Sequence, residues 1–370
     1  MKKLGLLIFL FSFGAWAQSA SLSPDEKLVE INKSQTLYKY IDGDKTKPLM
    51  VFLPGDGHLA RISYGFPGGK DDDFLAYWLN KKKYPFLGVS YPNDNPVFQH
   101  ASPDFKIRDW GNQIAQLTKK VIEENHLSGH VVILAWGTAG CVEEVVQESM
   151  SKLRISLDQF VGFSATSPLI DEAHQTAFVG NHLLNNAFSD RKPVHDFYLK
   201  QLLSQNEYNG HEIIPAKTYA TEFLGNTPIA LLGEGYFLDD GKVKFDLSQA
   251  LDDTGVFRFS HTPWIGLISD DSTSLERIAL IDPSNWNYLR SEMIYHQILF
   301  YANISKNANK FAISKRILSQ IPQHFSDTVH GNHLFFVGKK GARETAQKIE
   351  TLLQKMDSTK QNLVRLALEN

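Results

Sequence analysis

Four short stretches of this chain hold residue types that can do chemistry together. The first is Ala135-Trp136-Gly137-Thr138-Ala139, a turn that follows the apolar run His130–Ala135. A strand, a sharp turn and a helix in that order display the residue at the apex of the turn, where a reactive serine stands between small neighbours. The second is Leu53-Pro54-Gly55-Asp56-Gly57, a loop whose backbone N–H groups suit a developing oxyanion. The third is Leu267-Ile268-Ser269-Asp270-Asp271, a strand that ends in two carboxylates. The fourth is Gly331-Asn332-His333, with His330 just before it. A histidine oriented by an acid can activate either a nucleophile or a water.

Sterics set the register of the turn. The residues two before and two after its apex must be small. An apex at Gly137 places Ala135 and Ala139 there. An apex at Thr138 would put Trp136 at one of those sites, and an apex at Cys141 would put Glu143 there. Gly137 therefore holds the nucleophile position. Glycine suits the strained backbone of such a turn, but it brings no side chain to react.

The backbone N–H groups of Asp56 and Thr138 are the expected oxyanion donors. A carboxylate pointing inward would oppose the anion, so Asp56 is expected to face solvent, as Pro-Gly-Asp-Gly turn chemistry favours. His333 is the expected base, with His330 as the alternate. Asp271 is expected as its acid, with Asp270 as a near-equal alternate, one of the two capping a helix that begins near Thr273. His58 lies close enough to line the pocket but reads first as a surface loop residue, and Cys141 reads as a small buried one.

These residues need a scaffold to bring them together. Lys27–Ile31, Thr36–Ile41, Pro48–Leu53, Tyr84–Tyr91, His130–Ala135, Phe160–Phe163 and Pro263–Ile268 read as strands, with a last strand around Thr328–Phe336. Phe74–Leu79 reads as a short helix. Trp110, Ile114, Leu117 and Val121 recur at helical spacing between about Asp109 and Glu124, and another helix follows from Thr138. Ala346, Ile349, Leu353 and Met356 give a closing amphipathic helix. Strand alternating with helix argues for a mostly parallel α/β sheet flanked by helices. The alternation stops between Leu169 and Gly255, which reads as an insertion with helices such as Asp196–Ser204. A further helical insertion is expected around Leu275–Ile321.

Taken in order, the loop, elbow, acid and histidine resemble those of the α/β-hydrolase superfamily, over roughly Lys27 to Met356 with the insertion set aside. The resemblance implies a core from residues 18–169 and 256–370, with a cap or lid over 170–255. It implies the family's order of elbow, acid, histidine. With glycine at 137, it implies a pseudoenzyme that holds a small acyl or apolar ligand or a protein partner. The alternative is a hydrolase of ester or thioester-type acyl bonds that uses His333 and Asp271 with water or a nucleophile borne by the cap. Losing the serine removes several orders of magnitude of rate, although residual catalysis can survive.

Composition narrows the rest. Met1-Lys2-Lys3, the apolar stretch Leu4–Phe13 and Ala15-Trp16-Ala17 form a secretory signal peptide over residues 1–17. The mature chain is expected from about Gln18, periplasmic or secreted. The apolar stretch is short for a bilayer, and nothing after it approaches a membrane span. A net charge of -3 gives no basic excess for nucleic acid. The single Cys141 leaves no internal disulfide. No cofactor and no metal is expected, since His330 and His333 find no third ligand. Gly65–Asp71 lacks the spacing of a phosphate loop. Asp71-Asp72-Asp73 reads as a solvated loop or helix start.

Overall fold

The computed structural model describes residues 22–169, 183–272, 277–302 and 304–368. The expected signal segment and positions 170–182 of the expected cap lie outside the described residues.

Eight strands form one sheet: β1 (Glu26–Ile31), β2 (Ser34–Ile41), β3 (Leu49–Leu53), β4 (Phe86–Ser90), β5 (His130–Trp136), β6 (Ser156–Phe163), β9 (Ile265–Asp270) and β10 (Ser326–Val329). Their spatial order is β1-β2-β4-β3-β5-β6-β9-β10. Only β2 runs against its neighbours; the other pairings are parallel. A separate hairpin, β7 (Tyr236–Asp239) with β8 (Lys242–Phe245), lies in the insertion. The helices are α1 (Arg61–Tyr64), α2 (Leu75–Lys81), α3 (Ile107–Asn125), α4 (Glu143–Lys152), α5 (Lys192–Asn209), α6 (Ala216–Thr218), α7 (Leu247–Thr254), α8 (Asp282–Ile294), α9 (Ala308–His324) and α10 (Lys339–Leu368).

The apolar runs become strands covered on both faces. Every residue of β3 and β4 is buried, as expected of a parallel sheet with helices on either side. Met50, Phe52, Val132 and Leu134 pack into the layer that holds α2, α5 and α10. Leu49, Val51, Leu53, Val131 and Ile133 pack into the layer of α3, α4 and α8. The alternation is the two-residue period of strands.

The register brings the ends of the central strands to one edge. Leu53 pairs with Ala135, Trp136 with Phe163, Phe163 with Ile268, and Val329 with Asp270. The loops that leave β3, β5, β9 and β10 therefore meet outside their carboxyl ends, the usual place for a site in an open α/β sheet.

The insertion between β6 and β9 is tied to the core through polar contacts. Asp253 at the end of α7 accepts the N–H groups of Ile107 and Arg108 at the start of α3, at 3.1 and 2.9 Å. Arg61 on α1 joins Glu26 of β1 and Glu222 of the insertion, both at 2.6 Å.

Three expectations change. The last strand ends at Val329, not Phe336. Its apolar continuation Leu334–Val337 is buried in turns closed by Phe335 N–H to Asn332 O and Val337 N–H to Leu334 O. A short apolar run does not by itself distinguish strand from buried turn. The helix expected from Thr138 opens as a tight 3-10 turn, Gly137–Val142, before α4. Asp71–Asp73 form a short 3-10 turn ahead of α2, the helix start that was one of the two expected readings. Asp73, however, is buried rather than solvated: it accepts the Lys339 N–H at the head of α10 and contacts His211 Nε2 at 2.7 Å.

Candidate active site

The elbow follows directly from the register. β5 ends at Trp136, and Gly137 turns the chain with φ +58°. The loop after β3 presses against this turn. A Cβ on Gly55 would stand 2.5 Å from Trp136 O and 2.6 Å from Thr138 N, so only glycine permits the approach. The next residue, Asp56, has φ +54°, a conformation that costs a non-glycine residue free energy.

That conformation turns the Asp56 side chain inward over the elbow. Asp56 is 8% exposed, which corrects the expectation of a solvent-facing turn residue. A side chain begun at Gly137 would run straight into Asp56 Oδ2, with His333 Nε2 3.6 Å from the same point. One carboxylate oxygen thus fills the space that a side chain at position 137 would need.

His333 comes from the loop after β10 and is 1% exposed. Trp136 Nε1 donates to its carbonyl at 2.9 Å. Asn332 anchors the same loop to α5 by donating to Gln201 O at 2.8 Å and accepting from Gln205 Nε2 at 3.1 Å. The imidazole lies between two carboxylates: Nε2 is 3.9 Å from Asp56 Oδ2, and Nδ1 is 3.9 Å from Asp270 Oδ2. Both separations exceed a hydrogen bond, and Nδ1 has no partner among the described residues.

The two acids divide differently from the leading expectation. Asp270, the last residue of β9, faces His333, while Asp271 pairs with the exposed His330 at 2.8 Å. Successive residues at a strand end point to opposite sides, so one carboxylate turns into the site and the other out of it. Burial disfavours the Asp270 carboxylate, but His333, Ser272 and Ser164 outweigh it and hold its pKa below the usual range. Ser164 Oγ donates to Asp270 Oδ2 at 2.7 Å. Burial also opposes the Asp271 carboxylate; the Gly331 N–H and His330 lower its pKa overall. Asp271 therefore pins the histidine loop from outside.

The inserted helix α5 supplies the remaining wall. Arg191 at its start, His195 and Tyr198 lie at i, i+4 and i+7, on one helical face. Tyr198 donates to Asp56 Oδ2 at 2.6 Å, and Arg191 brings a guanidinium to 3.8 Å from Asp56 Oδ1. Burial, then the Asp56 charge, push the Tyr198 hydroxyl well above the ordinary phenol range, so it stays a donor. Arg191 is 4% exposed, and its Nε has no partner among the described residues.

His58, expected on the surface, is fully buried. Its Nδ1 faces Gly55 O at 3.3 Å and its Nε2 meets Tyr219 Oη at 2.6 Å. A carbonyl only accepts, so Nδ1 carries the proton and the Tyr219 hydroxyl donates to Nε2. Burial, then neighbouring His195, hold its pKa well below the ordinary histidine value. Trp136 and Tyr198 pack their rings against His58 at 4.7 and 4.8 Å. Cys141 is buried, as expected.

One of the two expected oxyanion donors is engaged. The Asp56 N–H donates to Thr138 Oγ1 at 3.0 Å. Sequence reading missed Arg191, Tyr198, Tyr219 and Ser164; the helical spacing of Arg191, His195 and Tyr198 is the one signal that would have pointed to the first two. No group of three or more His, Cys, Asp or Glu side chains capable of holding a metal occurs among the described residues.

No protein-family model matches the sequence, and no curated protein matches it. Solved structures do. The chain is similar to a thermophilic esterase from Thermogutta terrifontis with malate bound, at 10% identity, covering 90% of this chain and 98% of that one, with a TM-score of 0.50. It is also similar to a variant of AqdC in complex with its substrate, a protein described as recognising and ring-cleaving the Pseudomonas quinolone signal. That likeness is at 12% identity over 89% of this chain and 99% of that one, with a TM-score of 0.51.

Proposed function

The chain has the α/β-hydrolase fold, and on that scaffold we propose a hydrolase in which Asp56 provides the attacking oxygen that Gly137 lacks. One observation carries the reading: Asp56 Oδ2 occupies the place of a side chain at position 137, beside His333 Nε2.

A carboxylate attacks best at saturated or strained carbon bearing a leaving group. Asp56 Oδ2 would form a bond to that carbon as the bond to the leaving group breaks, giving an ester on Asp56. Arg191, 3.8 Å from Asp56 Oδ1, steadies the carboxylate between attacks, and the leaving group departs in line on the far side of the carbon. His333 Nε2 then takes a proton from water, and the hydroxide attacks Asp56 Cγ. The ester's acyl–oxygen bond breaks, the product leaves as an alcohol, and the carboxylate returns. Asp270 steadies the imidazolium through Nδ1. The imidazolium then gives up its proton, so the net reaction consumes one water and releases the alcohol, the leaving anion and a proton. An epoxide, whose leaving oxygen stays attached, takes that proton and leaves as a diol.

The acyl-bond alternative has less support. Acyl transfer needs prebuilt oxyanion donors, and the Asp56 N–H is engaged with Thr138 Oγ1. The carboxylate beside it would oppose the same anion. A second reading, a binding protein without turnover, is favoured by that engagement together with the Tyr198 bond to Asp56 Oδ2. Export after signal cleavage near Gln18 belongs to either reading, and N-terminal sequencing of protein from the cell envelope tests it.

The test uses His333→Gln, which keeps the attack and blocks the water step. The protein is incubated with a panel of alkyl halides, epoxides and carboxylic esters, and the peptide holding Asp56 is weighed. A substrate-sized adduct on Asp56 from a halide or epoxide, absent in Asp56→Asn, supports the proposal. No adduct and no turnover by the unaltered chain supports the binding protein.

A further inference from the structure

The charge of the chain is unevenly spread. From Met293 to Ser326 there is no Asp or Glu, while Lys306, Lys310, Lys315 and Arg316 all fall there, in a protein whose net charge is -3. None of these four has an ion-pair partner among the described residues. The segment comprises the end of α8, a wide turn through Leu299, and α9.

The same segment exposes large apolar side chains. Phe300 is 59% exposed, Tyr301 76% and Phe311 54%. α9 docks on the core through Ser314, Ile317, Leu318 and Ile321, one helical face, and leaves Phe311, Lys315 and Arg316 outside. Beside it, a groove of about 560 Å³ between α9 and the end of α10 sets Arg316 and Arg365 over Ile313, Ile317 and Leu366. Guanidinium groups match phosphate oxygens in a planar, two-pronged fashion.

We propose that this face, Phe300, Tyr301 and Phe311 among unpaired cations, docks the folded protein on an anionic phospholipid surface. Aromatic and apolar side chains interleaved with Lys and Arg are the chemistry of interfacial binding. No described helix is long and apolar enough to cross a membrane, so the contact is peripheral. A second copy of the chain fits poorly. A two-fold interface sets each patch against itself, and cations would face cations.

The test is cosedimentation of the purified chain with vesicles of phosphatidylcholine alone and of phosphatidylcholine with phosphatidylglycerol. Binding is expected only with the anionic lipid and falls with added salt. The triple variant K310Q/K315Q/R316Q is expected to bind on the order of 100-fold more weakly. Phe311→Ser is expected to weaken binding with an unchanged unfolding midpoint, since the side chain is exposed. Absence of binding to anionic vesicles at low salt overturns the proposal. So does equal binding to the neutral vesicles, binding unaltered in the triple variant, or a dimer that the triple variant dissociates while lipid is ignored.

Discussion

Tyr198, on the inserted helix α5, donates its hydroxyl to Asp56 Oδ2 at 2.6 Å, joining residues 142 positions apart at the one oxygen that fills the elbow. Tyr198→Phe leaves that buried oxygen short of a donor and should destabilise the fold by about 1–3 kcal/mol. Denaturant melts of the two proteins check this. If Asp56 acts as proposed, the freed carboxylate also reacts faster, so adduct formation in the His333→Gln background should rise as stability falls.

Asp56 carries a positive φ, which Asn tolerates about as well as Asp. Asp56→Asn should therefore keep stability within about 1 kcal/mol while removing turnover by a factor of at least ~10³. Asp56→Ala should lose the same activity and more stability. A pair of unfolding curves alongside turnover separates chemistry from folding. Comparable activity in Asp56→Asn would leave Asp56 no part in the reaction.

Gly137→Ser imposes a left-handed conformation on a non-glycine residue and drives its side chain into Asp56. The combined cost is about 2–4 kcal/mol. The double variant G137S/D56G should recover part of that loss, with a coupling of about 1 kcal/mol or more between the two sites. A four-protein denaturation cycle measures it. Strict additivity would mean that the carboxylate does not fill the space above the elbow.

Glu143 and Glu144 open α4 and are both buried. Burial, then the neighbouring Glu144, raises the Glu143 pKa well above the usual range; burial chiefly raises Glu144 to about 8. The folded state thus holds protons that the unfolded state releases above the ordinary glutamate pKa. Their contribution is harmless at low pH and becomes a growing destabilisation as pH rises from about 4.5 towards 8. His58 and His195, both lowered chiefly by burial, pull the other way: their cost appears as pH falls below 6.5. The diagnostic is the difference between the unaltered chain and Glu144→Gln. Their unfolding midpoints should converge near pH 5 and separate at pH 8, with the variant the more stable.

The sheet was legible because its central strands are nearly continuous apolar runs, and Leu49–Leu53 and His130–Trp136 have few other ways to be buried. The position of His333 near the elbow was legible because Gly331-Asn332-His333 precedes a helix. Parity was not: Asp270 and Asp271 differ by one residue at a strand end, and composition says nothing about which turns inward. The direction of Asp56 was not legible either. Its own turn chemistry points outward, and what draws it inward comes from afar: Tyr198 and Arg191 from the insertion, and the unfilled space above Gly137. Long-range contacts of this kind leave only a faint local trace, here the helical spacing of Arg191, His195 and Tyr198.

The interlock of Gly137 with Asp56 also bears on how this site can change over generations. A serine introduced at 137 meets an occupied space, and an Asp56 lost first leaves Tyr198 and Arg191 facing a void. Each single step passes through a poorer protein. The two positions are therefore expected to move together or not at all, which makes the present arrangement hard to reverse.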